Sequence, residues 1–409
     1  MKLPVKYLLA AIGFMLLFVG SVYATHELFT AQIAGANDFL PRWVGAKLFW
    51  QEGVDPYSQV TTETIQEEMY GRLATPDEDQ ALFVYPFYTI FLLLPLTWLP
   101  LAYSWIQAIW LVILQFSLIG GVLLLLRLVE WPPLPVWLLA IILLWSVIFY
   151  NNTRTIILGQ FAGLIFLGLV ASLLALKQGH DVWAGILLSL TTIKPQMSFL
   201  LIPALLLWGV MQRRWRFVAG FGGAMGVLLS ASFLLLPGWL AGFWTQMTAY
   251  PGYTFTGSPI WVLTGYYFPQ LGKPVETGLI VILVGYMLAM WWRLRRVTAV
   301  TPEFLLIIGL TLVVTNTIVV RTATTNYIIM YVPLFLGLQV MAERWPRGNV
   351  WAALFFLLST IGMWTLFLAT IKGNLEHPIM YLPLPIGLLL LLTWGRNALI
   401  GRKAASTLS

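Results

Sequence analysis

The chain has 409 residues, of which 59% are hydrophobic and 10% charged, with no cysteine and a mean hydropathy of +0.84. These proportions exclude a cytosolic enzyme, a disulfide-stapled secreted scaffold and a disordered chain, leaving carrier, channel and membrane-embedded enzyme. The net charge of +7 falls in short basic clusters between apolar runs, the pattern of cytoplasmic loop anchors rather than of a nucleic-acid-binding face. His26, His180 and His377 stand in no metal-ligand spacing, so no metal site is expected.

The first apolar run, Val5 to Tyr23, follows Lys2 and Lys6, which should hold the N-terminus in the cytoplasm. Val22 and Ala24 fit a signal-peptidase site, but the run is long enough to span, and an uncleaved anchor is the preferred reading. The next stretch, Thr25 to about Gln80, then faces outward and holds ten of the sixteen acidic residues. Its patches Phe39 to Trp50 and Thr62 to Arg72 are too short and polar to span, and read as amphipathic helices along the outer membrane face.

Further apolar runs follow at 103–126, 132–150, 156–176, 182–211, 217–236, 276–292, 303–320, 326–342, 349–370 and 379–394. The positive-inside rule is met if Arg127, Lys177, Arg213/Arg214/Arg216, Arg293/Arg295/Arg296, Arg344/Arg347 and Arg396/Arg402/Lys403 are all cytoplasmic. On that topology Phe83 to Pro100, interrupted by prolines, dips in from outside and returns. Asp181 to Met211 becomes a hairpin of two short helices bent at Lys194-Pro195.

The expected architecture is an all-α polytopic bundle of about twelve transmembrane helices in the cell membrane, with both termini cytoplasmic. It divides into a first anchor (1–24), an extracytoplasmic loop with interfacial helices (25–82), a membrane core with re-entrant segment and Lys-Pro hairpin (83–236), an aromatic outer loop (237–275) and C-terminal transmembrane helices (276–409).

Ionisable groups beside apolar sequence are costly, so Asp38, Arg42, Lys47, Arg154, Lys194 and Arg321 are functional candidates, with Gln160 beside them. One carboxylate and several cations suit transfer of a group away from a phosphate. The acid accepts the proton of an attacking hydroxyl, and the cations neutralise the departing phosphate. The bland alternative is that each cation snorkels or pairs locally. It is weakest for Lys194, which has a dozen or so apolar residues on either side. Aromatic residues from Trp239 to Tyr267 could stack on sugar faces, although any membrane interface collects such rings. Glu376 and His377 in the last outer loop offer a further acid or base.

The ordered set Asn37-Asp38-Phe39, Asp55-Pro56-Tyr57, Val84-Tyr85-Pro86-Phe87 with Leu94-Pro95-Leu96, Leu158-Gly159-Gln160, Trp183-Ala184-Gly185 with Ile193-Lys194-Pro195, and Asn326-Tyr327 ahead of Pro333 resembles glycosyltransferase family 87 over about residues 35–340. The resemblance implies a GT-C membrane fold. It also implies inverting, metal-independent and cofactor-free transfer of a hexose, usually mannose, from a polyprenyl-phosphate donor to an extracytoplasmic glycolipid, glycan or protein acceptor. It makes Asp38 the catalytic position. Beyond the motif match, Lys194, Arg154, Arg321, Gln160 and Arg42 are assigned as the expected donor and phosphate ligands, and Tyr57, Tyr85, Asn326 and Tyr327 as the substrate contacts. Two departures stand out. Thr325-Asn326-Tyr327 replaces a motif that often carries histidine, and Phe161-Ala162-Gly163 replaces the usual asparagine after Gly159-Gln160. The competing class is a transporter or flippase for a lipid-linked sugar, which shares broken helices and buried cations but has no need of the large acidic outer loop.

Overall fold

The computed structural model describes residues 5–33, 38–253, 257–373 and 375–401. Asn37, Phe255, Arg402 and Lys403 lie outside these. The described residues are helical, joined by turns, with no strand beyond one isolated bridge. In chain order the helices are α1 (Val5–Thr25), α2 (Leu40–Glu52), α3 (Gln59–Tyr70), α4 (Thr89–Thr97), α5 (Tyr103–Leu128), α6 (Val136–Ile148), α7 (Tyr150–Ile157), α8 (Ala162–Lys177), α9 (Asp181–Ser189) and α10 (Leu201–Met211). There follow α11 (Trp215–Leu235), α12 (Trp239–Tyr253), the single turn α13 (Pro259–Trp261), α14 (Gly272–Leu294), α15 (Pro302–Ile318), α16 (Tyr331–Arg344), α17 (Gly348–Thr370), α18 (Pro383–Trp394) and the short α19 (Arg396–Ile400).

Among the described residues six helical stretches are long and apolar enough to cross a membrane, or seven if the bent pair α6–α7 counts as one span. The expected twelve full crossings therefore resolve into fewer full-length helices plus shorter pieces. Five apolar helices, including α8, α10 and α15, are only 10–17 residues long. The causes are local. Phe149 takes an extended ψ of 139° between α6 and α7, and the axis bends by 47°. At Lys194-Pro195 the backbone leaves helical geometry (φ −128°, ψ 80°) between two 3₁₀ turns. The carbonyls freed there are satisfied by hydroxyls, with Ser198 Oγ donating to Thr191 O at 2.8 Å and Thr192 Oγ1 to Ser189 O at 2.6 Å. Helix α4 has nine residues, about 14 Å of rise, which is well short of a bilayer.

The chain forms two compact units. The first comprises Met1–Phe116, Ile156–Gln160 and Ala231–Thr254. Here α1 is mostly exposed along its apolar length, as a lipid-facing helix is, and packs through Phe18 and Val22 on Trp105, Ala108, Ile109 and Val112 of α5. Helix α2 does not lie as an amphipathic surface helix. Residues Leu40 to Ala46 are all buried, and α2 packs on α4. Trp50 Nε1 donates to Ile90 O (3.1 Å) and Gln51 Nε2 to Thr97 O (2.7 Å). Gly45 makes the approach possible, because a β-carbon there would lie 2.6 Å from the Phe83 ring.

The second unit comprises Ser117–Thr155, Phe161–Ser230 and Phe255–Ser409. Its centre is α15, buried on every side from Phe304 to Thr317 and packed by α10, α14, α16 and α18. A helix that is apolar all round must be enclosed in this way or face lipid. Its threonines return their hydroxyls to backbone carbonyls four residues earlier.

Candidate active site

Asp38 stands two residues before α2, and Gln160 follows the α7 turn, 122 residues later. Gly159 brings them together. Its φ of +69° turns the chain, its carbonyl accepts from Trp110 Nε1 at 2.9 Å, and a β-carbon on it would lie 2.6 Å from Phe39 Cβ. Phe39, fully buried and stacked on Trp110 (4.8 Å between ring centroids), thus packs directly on this glycine. The neighbouring Asp38 carboxylate then accepts a hydrogen bond from Gln160 Nε2. A carboxylate only accepts, so the Gln160 carboxamide must present its NH₂ to Asp38 and its oxygen to the Tyr85 hydroxyl, 3.5 Å away.

Arg42, buried on the first turn of α2, lies 4.8 Å from the Tyr85 ring centroid. Burial pulls its pKa down, but the fields of Tyr85, Asp38, Tyr250 and Asp79 outweigh this and leave it raised, so the guanidinium is firmly charged. The Tyr85 hydroxyl is pushed up to about 12, by burial first and against the pull of Arg42, and remains a neutral donor. Tyr57 supports this frame from beneath. Its hydroxyl donates to the Tyr85 carbonyl at 2.7 Å, and its carbonyl accepts from Gln246 Nε2 on α12 at 3.2 Å. Lys47 sits 5.0 Å over the Trp43 ring.

Two groups that the sequence reading did not single out join this cluster. Asp79 is close enough to Asp38 and Arg42 to feel both. Its carboxyl is raised above the usual carboxylate range, by desolvation first, while the Ala81 N–H and Arg42 draw it back. Its Oδ1 accepts from Ala81 N at 2.9 Å and holds Ala81 at φ +54°, a conformation strained for any residue with a β-carbon. Tyr250 on α12 also senses Asp38, Arg42 and Asp79, and its pKa is raised, chiefly by desolvation. No local motif marks Asp79 among ten acidic residues, and Tyr250 was masked by the general enrichment of aromatics at membrane interfaces.

The other expected site residues belong to the second unit. Lys194 is buried at the helix break. Arg154 projects from α7, with its guanidinium 6.0 Å from the Phe367 ring centroid. Helix α7 is stitched to the 3₁₀ turn Thr324–Met330, Asn151 Nδ2 donating to Thr324 O (2.8 Å) and Thr155 Oγ1 to Thr325 O (3.3 Å). Glu376 accepts from the Tyr150 hydroxyl and, at 2.6 Å, from Thr324 Oγ1, so the loop after α17 carries a carboxylate fastened to this network. His377 Nδ1 accepts from Ile379 N (3.2 Å), which leaves Nε2 facing the Tyr266 hydroxyl, also at 3.2 Å. Asn326 is buried and donates to Thr322 Oγ1 (3.1 Å). Tyr327 is wholly buried, with its hydroxyl on Tyr381 O (3.2 Å). Arg321 opens this segment and is half-buried. Among the described residues no group of three or more His, Asp or Glu converges as a metal site would require.

The model of glycosyltransferase family 87 matches residues 83–320, more than half of the chain. The chain belongs to glycosyltransferase family 87. It is accordingly a membrane glycosyltransferase, with a sugar donor and a glycan acceptor as the partners its family suggests. Tyr85, Arg154, Gln160 and Lys194 lie inside the match, whereas Asp38, Arg42, Tyr57, Arg321, Asn326 and Tyr327 lie outside it. No curated protein and no solved structure matched the chain in the corresponding comparisons.

Proposed function

We propose that this glycosyltransferase moves a hexose, mannose in the first instance, from a polyprenyl-phosphate donor to a glycolipid, glycan or protein acceptor on the extracytoplasmic side of the cell membrane. Asp38 is the general base. The observation that carries the reading is the Asp38 carboxylate, half-buried, oriented by the Gln160 carboxamide and set in the field of buried Arg42.

The acceptor oxygen attacks the anomeric carbon on the face opposite the phosphate, and its proton passes to an Asp38 oxygen. The bond from the anomeric carbon to the phosphate oxygen breaks with its electron pair on the phosphate, so the configuration inverts. Lys194, Arg154 and Arg321 are assigned to the charge that grows on the lipid monophosphate, which cations alone can neutralise without a metal ion. Arg42 and Gln160 hold Asp38 and the donor headgroup. Tyr85 and Tyr57 are assigned to the sugar, and Asn326 and Tyr327 are assigned to substrate by their place in the late outer motif. The proposed architecture is a GT-C bundle of about twelve membrane segments, which the six long helices and the bent pair support in part. Both termini are cytoplasmic on the positive-inside assignment.

The test is transfer from radiolabelled polyprenyl-phosphate-mannose to membrane extracts by purified protein in nanodiscs, with and without EDTA. Labelled product that resists EDTA is expected. A folded, donor-binding protein that labels nothing in any extract would move the assignment to lipid-sugar transport.

A further inference from the structure

The apolar stretch that ends with α14 closes at Leu294, and the next residues form a cavity of about 300 Å³ lined by Trp292, Arg293, Arg295, Arg296, Val297 and Glu303. Three arginines and one glutamate therefore share this lining. That carboxylate is committed, because Glu303 in the first turn of α15 pairs with Arg293 at 2.5 Å. Among the described residues no carboxylate lies within ion-pairing distance of Arg295 or Arg296. Arg295 rests on the Trp292 ring (3.8 Å to the centroid), and that tryptophan is 61% exposed.

The frame around the cavity is built rather than loose. Gln212 Nε2 donates to the Leu294 and Arg295 carbonyls (3.3 and 2.9 Å), Trp208 Nε1 donates to Val297 O (3.0 Å), and Leu294 and Val297 are buried. The Thr301 hydroxyl caps the start of α15 by accepting from Phe304 N. The backbone that carries Arg295 and Arg296 is thus held at the end of an apolar span next to an exposed tryptophan, where interfacial residues meet lipid phosphates.

We infer that this cavity binds the phosphate headgroup of an anionic phospholipid, with Arg295 and Arg296 as its ligands and Trp292 as the interfacial wall. The planar guanidinium fork matches phosphate oxygens, and the committed Arg293–Glu303 pair fixes α14 against α15 so that the other two arginines stay open to the ligand. The cavity's lining residues are none of those assigned to the transfer reaction, and the inference does not depend on the proposed sugar or donor.

Purified protein in phosphatidylcholine nanodiscs doped with phosphatidylglycerol tests this by native mass spectrometry of bound lipid and by thermal unfolding. The parent should retain phosphatidylglycerol in preference to phosphatidylcholine and unfold at higher temperature with it. The double variant R295Q/R296Q should lose on the order of thirtyfold in that preference, about fivefold per arginine at a charged surface. Unfolding of the variant in phosphatidylcholine alone shows whether it is folded. The single variants R295Q and R296Q, each losing about fivefold, carry the test if the double variant is not. Unchanged preference in the variants overturns the proposal. So does a parent stabilised equally by millimolar inorganic phosphate, since the ligand would then be a free oxyanion rather than a lipid.

Discussion

Asp38→Asn is the sharpest test of the catalytic reading. The substitution removes the basic carboxylate but keeps a side-chain oxygen that can still accept from Gln160 Nε2, so the contact across 122 residues is preserved. Arg42 loses one of the four fields that hold its charge and keeps those of Tyr85, Tyr250 and Asp79. Folding should therefore change little, with a shift of a few degrees in unfolding temperature. General-base catalysis contributes about 10²- to 10⁴-fold, equivalent to about 3–5 kcal/mol of barrier. Single-turnover transfer from labelled donor, which isolates chemistry from product release, should fall within that range, and donor affinity should stay within about threefold of the parent. Such a result means that an interaction made only in the transition state has been removed. A variant that turns over at near the parent rate, in a protein shown to be folded, would refute the assignment of Asp38 as base.

Three further outcomes are expected. Lys194→Gln should weaken donor binding by roughly ten- to a hundredfold, the range for losing a charged hydrogen bond to phosphate, and isothermal titration with a donor analogue reads this directly; unchanged affinity would remove Lys194 from the phosphate site. Gly185→Ala should destabilise the protein by about 1–3 kcal/mol or more, because its new β-carbon would lie 2.2 Å from Phe217 O and 2.4 Å from Phe221 N on α11; an unfolding temperature equal to the parent's would contradict that close packing. In the loop after α3 the Glu78 carboxyl is depressed from 4.5 to about 2 by hydrogen bonds from Arg72 and from the Thr75 N–H. Its support for the loop is therefore present above pH 4.5 and is lost as pH falls toward 2. Hydrogen-exchange protection across residues 70–81, referenced to the intrinsic amide rate at each pH, should fall over that interval in the parent, and Glu78→Gln should flatten the dependence.

The sequence alone determined membrane residence, the helical class and the family, because each rests on signals that add up locally along the chain. Apolar runs place α5, α11, α14 and α17 within a few residues of their observed ends, since a span needs only enough consecutive apolar side chains. The break at Lys194-Pro195 was equally legible, because proline acts on its own turn and on the residue before it. The candidate catalytic carboxylate was also visible, as an acid just after the first span.

Tertiary structure alone decided how those pieces are used. That α2 is buried from Leu40 to Ala46 and packs on α4, with Gly45 admitting the Phe83 ring, rests on contacts that periodicity within α2 cannot signal. That several apolar runs are short or bent helices depends on where the chain finds partners for its freed carbonyls. The Asp38–Gln160 pair exists because Gly159 turns with positive φ against Phe39, and Asp79 and Tyr250 join it from segments with no mark of their own. Hydrophobicity is a property of each residue and survives in the linear text. The convergence of a carboxylate, a carboxamide and a guanidinium is a property of packing between distant segments, and exists only once those segments have met.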